Sequence, residues 1–121
     1  MKILILGDIV GQSGRKAIRN NLDNIISSHK IDFTIINGEN SADDGKGITK
    51  INADEFFSYG VDVITSGNHI WDKKETTDFI EKEKRLLRPA NLANGSPGRG
   101  YEIYLSINKK YKDGVINLMG N

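Results

Sequence analysis

Lys2-Ile3-Leu4-Ile5-Leu6-Gly7-Asp8 is a continuous apolar run that stops on a glycine and a carboxylate. A run of this length and branching reads as a buried strand, over residues 2–6, followed by a loop. Beyond Gly14 the apolar period changes. Ile18, Leu22, Ile25 and Ile26 recur at helical spacing and predict an amphipathic helix over roughly 15–28. Residues 33–36 form a second strand closing on Asn37-Gly38-Glu39-Asn40, and the polar stretch 41–49 is a surface loop. A second helix is expected over 50–59, with Ile51, Phe56 and Phe57 inward and Gly60 as its stop. Residues 61–65 make a third buried strand ending in Ser66-Gly67-Asn68-His69. Strand and helix in alternation give an α/β fold with parallel strands joined by right-handed crossovers.

Further along, a third helix is expected over 74–84, with Phe79 and Ile80 inward among solvated charges. Leu86-Leu87 leads into Arg88-Pro89-Ala90-Asn91. Two β-rich segments, 101–107 and 115–119, are joined by Asn108-Lys109-Lys110-Tyr111-Lys112-Asp113-Gly114, a polar linker that reads as a hairpin connection. The 121 residues suit one compact domain, and 37% hydrophobic against 27% charged residues suits a folded chain. A net charge of +1 makes no case for an obligatory nucleic-acid or membrane partner. Cysteine is absent, so any metal must be held by oxygen or imidazole. No apolar run has the length of a signal-peptide core or a membrane span, so the cytoplasm is the expected location.

In parallel sheets the loops at the carboxyl ends of the strands line the functional crevice. Here those ends are Gly7-Asp8, Gly38-Glu39-Asn40 and Gly67-Asn68-His69. Two carboxylates, two amide oxygens and one imidazole make a hard, oxygen-rich cluster suited to iron, Mn²⁺ or Mg²⁺. One carboxylate can bridge two cations, and Glu39, on the middle loop, takes that place. Taken singly, Asp8 fits a helix cap, Asn40 and Asn68 fit turns, and His69 fits a structural role. Their recurrence at three successive strand ends favours a functional site. Nucleotide fingerprints fit poorly: the glycines of Gly7–Gly14 have the wrong spacing for a dinucleotide fold. Gly45-Lys46-Gly47 lacks both the upstream glycine of a P-loop and its Ser or Thr.

Six segments in order complete the pattern. They are Gly7-Asp8-Ile9-Val10-Gly11, Asn37-Gly38-Glu39-Asn40, Gly45-Lys46-Gly47-Ile48-Thr49, Gly67-Asn68-His69-Ile70-Trp71-Asp72, Arg88-Pro89-Ala90-Asn91 and Pro97-Gly98-Arg99-Gly100-Tyr101. Together they resemble the YmdB family of bacterial metallophosphoesterases, a branch of the calcineurin-like superfamily. The resemblance covers essentially the whole chain. It implies the N-terminal part of a four-layer αββα sandwich with a metal site at the carboxyl ends of its strands. Two divalent metals are implied, iron first, with manganese or magnesium as alternatives. The implied activity is hydrolysis of phosphodiesters such as 2′,3′-cyclic nucleotides. By the family pattern Asp8 binds one metal, Glu39 bridges both, and Asn40 and Asn68 add amide oxygens. His69 matches the general acid that protonates the leaving alkoxide while a metal-activated hydroxide attacks phosphorus.

The sequence also departs from that pattern. The family's remaining ligands are histidines of a second half, whereas only His29 and His69 occur here, and His29 reads as a solvated helix end. The expectation is therefore a domain incomplete at its C-terminus, with weak metal binding, little activity alone and no cover for its second layer. Two alternatives stand beside the enzyme: a non-catalytic binding or regulatory remnant of the fold, and an α/β nucleotide-binding module. Homo-oligomerisation is left open. Trp71 is read as a buried helix-start aromatic, and Asp72 as a cap of the third helix rather than a partner of His69. Arg88 and Arg99 are either phosphate ligands or ordinary surface ion-pair residues.

Overall fold

Three short strands frame the computed structural model, which describes residues 1–106 and 110–120. β1 (Ile3–Leu6), β2 (Phe33–Asn37) and β3 (Val63–Thr65) lie parallel, in sequence order. Ile3 pairs with Phe33, Ile5 with Ile35, and Ile35 in turn with Val63. Because side chains alternate along a strand, this register sorts the apolar residues into two faces. Leu4, Leu6, Ile36 and Ile64 pack with Ile18, Leu22 and Phe56 of α1 (Gly11–His29) and α2 (Lys50–Ser58). Phe33, Ile35 and Val63 face the opposite way. Single bridges from Ile64 to Leu86 and from Leu87 to Arg99 carry the sheet onward.

That opposite face is covered by an antiparallel hairpin, β4 (Tyr101–Leu105) with β5 (Lys112–Ile116). Tyr104 and Val115 pack against Phe33, Val63 and Leu87, and the Phe33 and Tyr104 rings sit 6.1 Å apart. The arrangement is helices, parallel sheet, then hairpin, in agreement with the α/β class expected. Among the described residues, no helix is long and apolar enough to cross a membrane.

Five local expectations are corrected, the simplest being Ile51, which is 71% exposed rather than inward because it lies on the outer side of α2. β1 is not buried on both faces: Ile3 and Ile5 are 49% and 71% exposed, because the hairpin reaches β2 and β3 but leaves β1 bare. The outer side of the hairpin is equally uncovered, with Tyr101, Ile103, Leu105, Ile116 and Leu118 exposed. α1 begins at Gly11 rather than near residue 15, since Asn40 O accepts the Gly11 N–H at 2.9 Å and Val10 O that of Gly14 at 3.0 Å. The third helix shrinks to one turn, α3 (Thr76–Phe79). Thr76 and Thr77 are poor helix formers, and the buried Thr76 hydroxyl donates to Ile48 O at 2.9 Å, anchoring the turn to the loop before α2. Phe79 and Ile80 still point inward, as their spacing implies. Lastly, Asp113-Gly114 is no turn: it lies inside β5, opposite Tyr104 and Ile103. The connection closes at Ser106 and Tyr111, which exchange hydrogen bonds. Residues 107–109 of the expected strand and linker, and Asn121, lie outside the described residues.

One half-buried carboxyl makes stability depend on pH. Asp62 Oδ2 accepts the Thr34 N–H at 2.7 Å under the hairpin. Burial pushes its pKa above the usual carboxylate range, the Thr34 hydrogen bond opposes this, and the charge of Asp113 adds to the rise. A raised folded-state pKa means stability that is complete below the unfolded value, about 4, and lost as pH rises through the folded value. Asp62→Asn keeps an acceptor for Thr34 and removes the charge. Its melting temperature is expected to exceed that of the parent at pH 7.5 by a few degrees, with the gap closing near pH 4. Paired thermal melts at the two pH values check this.

Candidate functional site

Backbone hydrogen bonds stitch the three strand ends together. Ile9 N–H donates to Asn37 O at 2.9 Å, Gly11 N–H to Asn40 O at 2.9 Å, and Gly38 N–H to Thr65 O at 3.1 Å. Side chains continue the stitching. Asn40 Nδ2 donates to Asp8 Oδ1 at 2.9 Å, which joins the first loop to the second and leaves the Asn40 oxygen free as a donor atom. The backbone N–H of His69 donates to Glu39 Oε2 at 3.2 Å, which joins the second loop to the third. Asp8, Glu39, Asn40 and His69 are thus brought to one edge, and Asn68 sits exposed beside His69.

Gly67 is what lets Glu39 lie where it does. A Cβ at residue 67 would stand 2.6 Å from both Glu39 carboxylate oxygens. The glycines at the other two strand ends differ: a Cβ at residue 38 would meet Ile64 Cγ2 at 2.9 Å, whereas Gly7 has open space around its Cβ position.

The electrostatics favour a cation. Among the described residues neither Asp8 nor Glu39 forms an ion pair, although eight pairs occur elsewhere. Two carboxylates on adjacent strand ends, neither matched by a basic side chain among the described residues, suit a hard divalent ion. The donor set is short, however. Among the described residues no three His, Asp or Glu side chains converge, so charged ligands end at Asp8 and Glu39 and the remaining oxygens are amides. The residues fit one side of a cation site. His29 is exposed at the end of α1, bonded to Ser28 and Ile25, as expected of a solvated helix end.

Asp72 corrects an expectation. Its Oδ2 lies 2.7 Å from His69 Nδ1, whereas α3 has Glu75 at its N-cap and no side-chain cap. Trp71 packs half-buried against the helical-face core. Both arginines are engaged structurally: Arg88 donates to Pro97 O and Pro89 O, and Arg99 pairs with Glu102. The Gly45–Gly47 segment is no phosphate cradle either. Gly47 closes on Asp72 and Lys73, and Lys73 Nζ bonds Asp44 Oδ2 at 2.6 Å, holding that carboxyl below its usual range. Asp8 and Asn68 are exposed and Glu39, Asn40 and His69 half-buried, so the site is an open ledge; one concavity of the surface lies apart from it, between α2 and α3.

Sequence reasoning missed Asn117. Buried just past β5, it donates through Nδ2 to Ser66 O at 2.8 Å and Leu87 O at 3.1 Å. Ser66 Oγ bonds Leu87 O as well, at 2.7 Å, so the loop carrying Asn68 and His69 is fastened from behind. A lone asparagine in a β-rich segment carries no sequence signal of such a clamp.

Residues 4–121 match the family model described as YmdB-like protein. The chain belongs to this family. It is 46% identical, over 120 residues, to a 2′,3′-cyclic-nucleotide 2′-phosphodiesterase of Bacillus subtilis (strain 168), with 99% of this chain and 44% of that protein aligned. Among solved structures it resembles a hypothetical protein from Thermus thermophilus, with TM-score 0.88 and 31% identity over 99% of this chain and 45% of that one. It also resembles a novel phosphatase from Mycoplasma pneumoniae, with TM-score 0.86 and 33% identity over 99% of this chain and 43% of that one. The chain spans about half the length of these relatives.

Proposed function

We propose that this chain carries one side of a two-cation phosphodiesterase site of the calcineurin-like type, acting on 2′,3′-cyclic nucleotides or similar phosphodiesters. The observation that carries this reading is the stitching of Asp8, Glu39, Asn40 and His69 at three parallel strand ends, with neither carboxylate in an ion pair among the described residues. The name of the Bacillus subtilis relative supports the substrate class. In this reading Asp8 would hold one divalent cation, Glu39 would serve both, and the amide oxygens of Asn40 and Asn68 would complete what the chain offers. Iron is the first candidate, manganese and magnesium the others. Such cations neutralise charge on phosphoryl oxygens and supply a nucleophile at neutral pH.

The chain's own residues do the rest. His69 Nε2 delivers a proton to the departing alkoxide, which is too basic to leave unaided. Glu39 and the His69 backbone are locked to each other, so the acid and the cation ligand move as one unit. With two carboxylates and two amides, the cation affinity of this chain alone is expected to be weak and its turnover well below that of its longer relatives.

Turnover of a 2′,3′-cyclic nucleotide tests the reading. Activity is expected to vanish on treatment with EDTA and to return with Mn²⁺. Hydrolysis that persists under EDTA contradicts a cation-dependent site.

A further inference from the structure

His69 has two ring nitrogens with different surroundings, and that difference is the starting point. Nδ1 lies 2.7 Å from Asp72 Oδ2, and both side chains are about one-third exposed. An ionised carboxylate only accepts hydrogen bonds, so the proton of this contact sits on Nδ1. In the neutral imidazole the other nitrogen, Nε2, then carries the lone pair, and in the imidazolium it carries the transferable proton.

The loop that places Asp72 is itself constrained. His69 O accepts the Asp72 N–H at 3.1 Å, closing a turn that folds the carboxylate back onto the ring. From the other side Gly47 approaches so closely that a Cβ there would meet Asp72 Cβ at 3.3 Å and Lys73 N at 3.2 Å. Gly47 has φ +75°, and the Asp44–Lys73 ion pair ties the same two segments together. Gly47 therefore backs Asp72 closely.

We propose that Asp72 is a positioning residue for His69, fixing the imidazole through Nδ1 and leaving Nε2 free for the substrate. The role rests on the reading of His69 as the general acid. Removing Asp72 frees the ring to rotate, takes away the acceptor that holds the remaining proton on Nδ1 once Nε2 has delivered its own, and lets the neutral ring shift to the Nε2–H tautomer that an unconstrained imidazole prefers.

The test is the tautomer itself, read from ¹⁵N shifts of the His69 ring at a pH where the imidazole is neutral, with neither metal nor substrate present. The parent protein is expected to show Nδ1 protonated. Asp72→Ala and Asp72→Asn are both expected to shift the population towards Nε2–H, the second because a carboxamide accepts more weakly and can donate to Nδ1. Backbone amide shifts of β1, β2 and β3 confirm that each variant is folded. A His69 ring pattern that is the same in both folded variants as in the parent overturns the proposal, as does a parent ring already protonated on Nε2. Since this readout needs no turnover, it can fail while the His69 acid survives, and the reverse.

Discussion

Gly100→Ala is expected to cost on the order of 4 kcal/mol or more of stability, enough to leave much of the chain unfolded at 37 °C. Gly100 crosses Ala90 where the Leu86–Leu87 segment, β4 and β5 converge. A Cβ at residue 100 would lie against Ala90 Cα, 2.5 Å from its Cβ and 2.7 Å from its N. Two of those atoms belong to the backbone, which has no rotamer through which to yield. Relief requires the two chains to separate, and the same crossing holds the Ala90 N–H to Asn117 O at 2.8 Å and the Asn117 N–H to Gly100 O at 2.9 Å. Separation therefore strips Asn117 of its backbone bonds and strains its side-chain bonds to Ser66 O and Leu87 O, all of them buried. Each buried group left unsatisfied costs about 1–3 kcal/mol. Gly114→Ala is the control, since nothing lies within 4 Å of its Cβ position and an effect under about 1 kcal/mol is expected. Urea titrations of the two variants check the contrast. A Gly100→Ala protein as stable as the parent would mean that the crossing is looser than described.

His69→Ala is expected to lower turnover by roughly 10²- to 10⁴-fold while leaving the fold and cation binding in place. The substitution spares the interaction that serves the cation ligand, because the His69 bond to Glu39 comes from its backbone N–H. It also opens no cavity, the ring being 34% exposed. What disappears is the proton for the leaving oxygen. The loss should consequently depend on the leaving group: large for a cyclic nucleotide, whose alkoxide is strongly basic, and much smaller for bis-p-nitrophenyl phosphate, whose phenolate leaves readily. Parallel assays of both substrates give the ratio, which is meaningful even if absolute rates are low. Equal losses on the two substrates would assign His69 a role in binding rather than in proton transfer.

The meeting of the candidate residues at one sheet edge was legible in the sequence, for a physical reason. Parallel strands that end in glycine and then a polar side chain announce themselves by period and punctuation, and the crossovers fix which ends are neighbours. Asp8, Glu39, Asn40 and His69 followed from that alone. The contacts that hold them did not. Nothing in Asp72 distinguishes a helix cap from an imidazole partner, since both uses require a carboxylate a few residues from a helix start. Gly67 could be noticed, yet its closeness to Glu39 depends on how two loops cross. The exposure of Ile3 and Ile5 was misread because an apolar run reports what a strand can bury, not how far the covering layer extends. Asp113-Gly114 was misread for a similar reason: a favourable turn pair yields when the hairpin's register puts it in a strand.

In the proposed function Asp8, Glu39, Asn40 and Asn68 form one cation-binding ledge next to His69. Paramagnetic broadening of backbone amides on titration with Mn²⁺ tests it most directly, because it locates even a weakly bound ion. The account predicts that broadening begins at residues 8, 39, 40, 68 and 69 together, and that Glu39→Gln weakens it at all five. Broadening that spares these five and begins instead at the acidic surface around Asp54, Glu75 and Asp78 would contradict it.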